Sequence, residues 1–204
     1  MRMFVALVPP AAVVEDLDGF LAVRRDAAAF RWSPAEHLHV TLAFLERVAD
    51  RQLDELVERL TRAGRRRTAF PVRIAGGGAF PDAARARVLW AGLDLDQRAR
   101  TELDRAATGA RAAAARAGIR VDGQRFRPHV TLARLGRPEE VSDWVRLLDS
   151  YTGPTWTVTD LALVASYLGE GPRGRPRHEV VETFPFGRAG GFRRDGPGGL
   201  GSLT

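Results

Sequence analysis

The sequence predicts an α+β fold in which two similar lobes surround a central cleft. Segments with the two-residue period of strands alternate along the chain with segments at helical spacing. The word His-Val-Thr-Leu-Ala occurs twice, at 39–43 and 129–133, each time inside a strand-like stretch. A chain of 204 residues that is 45% hydrophobic can fill one domain, or two small lobes sharing a core.

Residues 3–8 form the first strand, which Pro9-Pro10 end. Val13, Val14, Leu17, Phe20 and Leu21 recur at helical spacing and predict an amphipathic helix over 11–28. Residues 37–45 alternate and carry β-branched side chains, so they read as a strand. Leu53, Leu56, Val57 and Leu60 mark a helix over 49–64. Strands at 70–78 and 87–93 are joined by a turn at Pro81-Asp82, and a helix over 95–117 stops at Gly118. A strand over 125–135 precedes a helix over 138–150 bearing Val141, Trp144, Val145 and Leu148. Two last strands lie at 155–168 and 177–184, separated by a mobile loop at 169–176. The expected domain is therefore 1–187. Residues 188–204 form a Gly-rich tail with too little apolar surface to offset its ordering entropy.

Composition narrows the function classes. There is no cysteine, which removes disulfides, thiolate nucleophiles and cysteine zinc sites together. No apolar run reaches the roughly 18 residues of a membrane span, and the start lacks the long apolar region of a signal peptide. A cytoplasmic protein, a monomer without membrane attachment, is the expectation. The formal charge of +6 favours acidic partners such as nucleic acid. Every basic residue is arginine, which biased coding composition would also give, although the guanidinium fork binds phosphate well.

The repeated pentapeptide stands above this background. Only four histidines exist, and two hold the same place in the same word. One supersecondary unit used twice explains this, with two lobes about a pseudo-two-fold axis. Side chains two apart on a strand share a face, so His39 projects with Thr41 and His129 with Thr131. Val40, Leu42, Val130 and Leu132 point into the lobe cores. A groove with two imidazoles and two hydroxyls suits the opening of a phosphodiester. Histidine serves as acid or base near neutral pH, with a reference pKa of about 6.5. Threonine hydroxyls can donate to non-bridging oxygens where charge builds. One imidazole must start neutral and the other protonated, so their pKa values are expected to be pushed apart.

At these residues the chain resembles the two-histidine phosphoesterases, and most closely the bacterial and archaeal RNA 2',3'-cyclic phosphodiesterases, also called the 2'-5' RNA ligase family. The resemblance runs from Phe4-Val5-Ala6 to about Phe186. It includes Leu38-His39-Val40-Thr41-Leu42, Arg87-Val88-Leu89-Trp90-Ala91-Gly92 and the stretch from Phe126 to Arg134. It implies hydrolysis of an RNA 2',3'-cyclic phosphate end to a 2'-phosphate, with no metal or other cofactor, and 2'-5' ligation as the reverse reaction. It implies His39 as proton donor and His129 as proton acceptor, and it marks Arg134. The chain departs from the family pattern at Ala165-Ser166-Tyr167 and at His178, which stands where an aromatic residue is expected.

Other readings stay open at this level. Arg127 has the parity to face the groove with His129 and to touch phosphate, whereas Arg134 has the opposite parity; either could instead be a surface arginine. His37 and His39 could hold a metal with His129 or His178, although no Asp or Glu accompanies them at ligand spacing. Trp32, Trp90, Trp144 and Trp156, with Phe44 and Phe126, read as packing residues before base-stacking platforms. The Arg65-Arg66-Arg67 run suits a helix end, with an RNA backbone as the sharper alternative. The rival functions are a phosphoesterase for small cyclic nucleotides or ADP-ribose cyclic phosphate, and an RNA-end-binding module without turnover.

Overall fold

A computed structural model describes residues 1–188 apart from Gln124. The expected flexible tail lies outside the described residues from 189 onward; Arg188 itself pairs with Thr68. The chain runs β1 (Met3–Leu7), α1 (Ala11–Ala22), β2 (Arg31–Trp32), β3 (Val40–Leu45), α2 (Asp50–Arg65), β4 (Phe70–Phe80), β5 (Ala86–Asp94), α3 (Gln97–Arg116), β6 (Val130–Glu139), α4 (Ser142–Asp149), β7 (Trp156–Val158), β8 (Asp160–Tyr167) and β9 (Arg177–Pro185). The fold is thus mixed α/β, and no helix among the described residues is long and apolar enough to cross a membrane.

The strands form one sheet in the order β7-β4-β5-β6-β3-β1-β8-β9, with β2 also on β6. All pairings between these strands are antiparallel. The middle of the sheet is its weakest seam. Strands β3 and β6 share a single register pair, Val40 with Val130. Beyond it β2 takes the edge of β6, through Arg31↔Arg134 and Trp32↔Ala133. The two central strands therefore splay apart, and a cleft opens where they part.

One face of the sheet carries the helices. Leu42, Leu45, Leu56, Leu60, Leu103, Ala106 and Ala110 are buried in one core between β3, α2 and α3. Burying such a leucine removes about 1.5–3 kcal/mol worth of apolar exposure. Gln52 ties the two helices together end to end. Its Oε1 accepts from the Ala49 N–H (3.0 Å), and its Nε2 donates to the carbonyls of Ala117 (3.1 Å) and Gly118 (2.9 Å). Asp96 caps α3 by accepting from the Ala99 N–H at 2.7 Å. Helix α1 packs towards α4: Tyr151, just past α4, donates to Asp16 at 2.7 Å and lies against Phe20. The opposite face holds a smaller cluster of Phe4, Ala6, Ala162 and Val164, with Phe44 beside it.

Several boundaries differ from the sequence reading for physical reasons. Helix α1 ends at Ala22 rather than 28, because Leu21 is its last buried residue and Ala27 and Ala28 offer nothing to pack. The segment 155–168 is two strands. The chain changes partner at Thr159, from β4 on one side to β1 and β9 on the other. Strand β2 is too short to show a period. His37 sits in a 3-10 turn (Ala35–His37) rather than in a strand. Strand β6 starts at Val130, after Pro128, which has no N–H to give a ladder.

Candidate active site

The two copies of the pentapeptide are held by the same local devices. His39 Nδ1 lies 2.7 Å from the His37 carbonyl, and His129 Nδ1 lies 2.6 Å from the Arg127 carbonyl. A carbonyl only accepts, so each Nδ1 carries the proton. Each ring thereby presents Nε2 as its working nitrogen: a base when neutral, an acid when protonated. In both copies the accepting carbonyl is two residues before the histidine.

Each copy also contains a bulge at its leucine. On β3 the register with β1 passes from Thr41↔Ala6 to Ala43↔Val5, leaving Leu42 unpaired. On β6 the register with β5 passes from Thr131↔Trp90 to Ala133↔Leu89, leaving Leu132 unpaired. An extra residue reverses strand parity. Both Leu42 and Ala43 are therefore buried, as are Leu132 and Ala133, and the next residue returns to the face of the histidine and threonine. That residue is Phe44 in one copy and Arg134 in the other.

These turns and bulges assemble a cleft of about 410 Å³ lined by His37, His39, Thr41, Thr131, Arg134 and His178, together with Arg2, Arg31 and Arg175. Among the described residues no Asp or Glu lines it. Arg31 and Arg134 are cross-strand partners on its wall. Like charges placed opposite each other repel, and an anion between them removes that cost. His129 opens on a neighbouring depression with Arg127, Phe80 and Trp90. The two sites meet along the segment from His129 to Thr131, and the charge of His129 is felt at His39.

The imidazoles are packed against rings. Phe4 stacks on His39 with centroids 4.5 Å apart, and Phe80 meets His129 edge-on at 4.9 Å. His39 Nε2 lies 3.1 Å from Thr41 Oγ1; among the described residues no matching bond joins His129 to Thr131. Burial pushes His39 down to about 4; the bond to the His37 carbonyl opposes this, and His178, His37 and His129 add to it. Burial also lowers His129, with the charge of Arg134 lowering it further. Both rings are driven towards the neutral form, where the sequence reading has one neutral and one protonated.

The remaining histidines form a second layer. His37 stacks on His178 at 4.1 Å, and His178 meets His39 edge-on at 5.7 Å. Burial pushes His178 down to about 4, and the charges of His37 and Arg2 act the same way. Among the described residues no group of three or more His, Cys, Asp or Glu side chains is placed to hold a metal ion.

The sequence reading put His39, Thr41, His129 and Thr131 in one groove; His39, Thr41 and Thr131 line the cleft, His129 lies in the depression beside it, and Arg134, given the opposite parity, reaches the cleft through a bulge. It placed Arg127 on the histidine side, and the guanidinium lies 5.9 Å from the Phe80 ring centroid. It missed Arg2, Arg31 and Arg175, which come from separate parts of the chain and leave no motif. Phe44, read as a packing residue, lines the cleft with the Arg2 guanidinium 4.5 Å above its ring. Phe126 packs on the core and borders the His129 depression.

The profile of the 2'-5' RNA ligase superfamily matches residues 9–170. The chain belongs to that superfamily. Other members resemble it along most of their length. An RNA 2',3'-cyclic phosphodiesterase of Archaeoglobus fulgidus is 31% identical over 185 residues, covering 90% of this chain and 99% of the relative. The enzyme of that name from Thermus thermophilus is 30% identical over 205 residues, covering 97% of each chain. Among solved structures, TT0787 of Thermus thermophilus superposes with a TM-score of 0.72 at 29% identity, over 92% of this chain and 99% of that one. Escherichia coli LigT complexed with 3'-AMP gives 0.71 at 28%, over 91% and 97%.

Proposed function

We propose that this protein hydrolyses the 2',3'-cyclic phosphate end of RNA to a 2'-phosphate, without a metal, by acid-base catalysis between two histidines. The observation that carries this reading is the matched pair of Nδ1 locks. They aim Nε2 of His39 and of His129 from two copies of one motif, beside a cleft rich in arginine and free of carboxylates. Superfamily members named RNA 2',3'-cyclic phosphodiesterase, similar along nearly their whole length, support it.

In this mechanism His129 Nε2 takes a proton from water as the water oxygen attacks phosphorus. The bond from phosphorus to the ribose O3' breaks, and His39 Nε2–H gives that oxygen its proton. One water is added across one P–O bond. Thr41 and Thr131 donate to the non-bridging oxygens, whose charge rises in the transition state. Arg134 and Arg127 hold the phosphate from the two walls. A bound phosphate anion opposes the burial that lowers His39, so the substrate itself charges the donor. When an RNA 5'-hydroxyl attacks the same cyclic phosphate in place of water, the bond from phosphorus to O3' breaks as before, O3' takes the proton from His39, and the product is a 2'-5' linkage.

We propose as well that the halves of the sheet on either side of the seam are lobes of one duplicated unit. Equivalent residues meet at Val40 and Val130, equivalent leucines bulge, and equivalent carbonyls hold the histidines.

The test is to incubate the protein, with and without a chelator, with an oligonucleotide ending in a 2',3'-cyclic phosphate, with cyclic mononucleotides and with ADP-ribose cyclic phosphate. Mass, and chromatography of the released terminal nucleotide against 2'-phosphate and 3'-phosphate standards, then identify the products. The proposal expects a 2'-phosphate oligonucleotide, undiminished by chelator. Turnover only of the small substrates would move the assignment to a small-molecule phosphoesterase. Tight binding of the oligonucleotide with no turnover would make the protein an RNA-end-binding module.

A further inference from the structure

A groove of about 650 Å³ lies outside the cleft. It runs between α2 and α3. These helices cover the sheet face opposite the Phe4 and Phe44 cluster that lines the cleft. The helices are antiparallel: Gln52 near the start of α2 bonds to Ala117 and Gly118 past the end of α3, and Arg67 past the end of α2 lies near Glu102 at the start of α3. Small residues set the floor, where Gly109 faces Ala63: a Cβ at 109 would meet the Ala63 Cβ at 3.6 Å, in ordinary van der Waals contact.

The rims are arginine. Arg59 and Arg62 on α2 and Arg66 just past its end recur at helical spacing, and Arg105 and Arg116 stand on α3. Among the described residues that line the groove only Asp104 is acidic. Arg59, Arg62 and Arg105 pair with Glu55, Glu58 and Glu102 within their own helices. The exposed Arg62–Glu58 pair holds its side chain weakly, whereas Glu102, which holds Arg105, is buried. Among the described residues Arg66 and Arg116 have no ion-pair partner.

We infer that the α2–α3 groove is a second contact surface for RNA, gripping the phosphodiester backbone of a chain whose end lies in the cleft. The inference rests on the RNA reading above. Two rows of guanidinium groups over a narrow floor match a string of phosphates, which guanidinium binds as a fork. The lining has no aromatic or long aliphatic side chain to anchor a protein segment, as a protein interface requires. Because groove and cleft lie on opposite faces of the sheet, only an RNA long enough to pass around its edge uses both. A dinucleotide uses the cleft alone.

The experiment compares the unaltered full chain with the triple variant Arg62→Gln, Arg66→Gln, Arg116→Gln, after matching their melting temperatures. Affinity for a stem-loop RNA ending in a plain 3'-hydroxyl is measured over a salt series, and turnover is measured with a dinucleotide 2',3'-cyclic phosphate. The groove reading expects the variant's affinity to fall on the order of 10-fold or more, and its salt slope to fall by about 2–3, with dinucleotide turnover unchanged. Equal affinity and slope in the two proteins would overturn it. So would a poly-glutamate peptide that binds through these arginines while RNA affinity does not depend on them. Absence of dinucleotide turnover in the unaltered protein would instead strike the catalytic reading, and the RNA arm would still report on the groove.

Discussion

Val40 and Val130 face each other as the one register pair that joins β3 to β6. They hold the same place in the two copies of the pentapeptide. Because the strands are antiparallel, the pair sets the His39 side of one copy beside the Thr131 side of the other, and Thr41 beside His129. Each half of the proposed phosphate site is thus completed from the other strand, and the seam between the strands is where the cleft opens.

A prediction about the walls concerns Gly78. A Cβ built there would overlap the Trp90 ring, which lies across β4 beside Phe80 and 6.0 Å from the His129 ring. Gly78→Ala must push that ring aside. Overpacking of this kind costs about 1–3 kcal/mol, and the displaced ring disturbs the depression around His129. A lower melting temperature together with a fall in kcat is the expected result, read by thermal unfolding and by turnover of the folded variant.

Acid stability follows from the buried imidazoles. The folded pKa values of His39 and His178 are pushed down to about 4, below the unfolded value of about 6.5. Between these two values the unfolded chain binds more protons than the folded one, so stability falls as pH falls. The loss sets in near pH 6.5 and is complete below pH 4. His39 alone accounts for at most about 3 kcal/mol. Chemical denaturation at a series of pH values checks this, and His178→Gln should flatten the slope.

Phosphate should recharge His39. Inorganic phosphate or a nucleoside 2'-phosphate placed between the imidazoles opposes the burial that keeps this ring neutral. The imidazole resonances of His39, followed by NMR through a pH titration, should titrate at a higher pH with the anion present than without it. His37, on the outer side of His178, should move less.

Much of the fold was legible in the sequence, because its strands and helices are long enough to show a period. Val13, Leu17 and Leu21 on α1 and Leu56 and Leu60 on α2 are buried as their spacing predicts. Strand β2 was not legible, since two residues have no period and its place depends on pairing with β6. At the site the repeated word was visible, but simple alternation misread the residues at its end and just beyond. The bulges at Leu42 and Leu132 reverse parity and turn Phe44 and Arg134 to the cleft. A bulge is a property of register between strands, and a single strand's sequence does not show it. The carbonyl locks on Nδ1 were hidden for a similar reason: they depend on backbone direction at His37 and Arg127, not on which residues stand there.

The central claim is that His39 and His129 act as one acid-base pair. The most direct measurement is single-turnover opening of an oligonucleotide 2',3'-cyclic phosphate by folded His39→Ala, His129→Ala and the double variant. Each single substitution should slow the step by roughly 10²–10⁴, and the double variant should be little slower than the worse single one, as for residues that work as a unit. Turnover near that of the unaltered protein in either single variant would contradict the account.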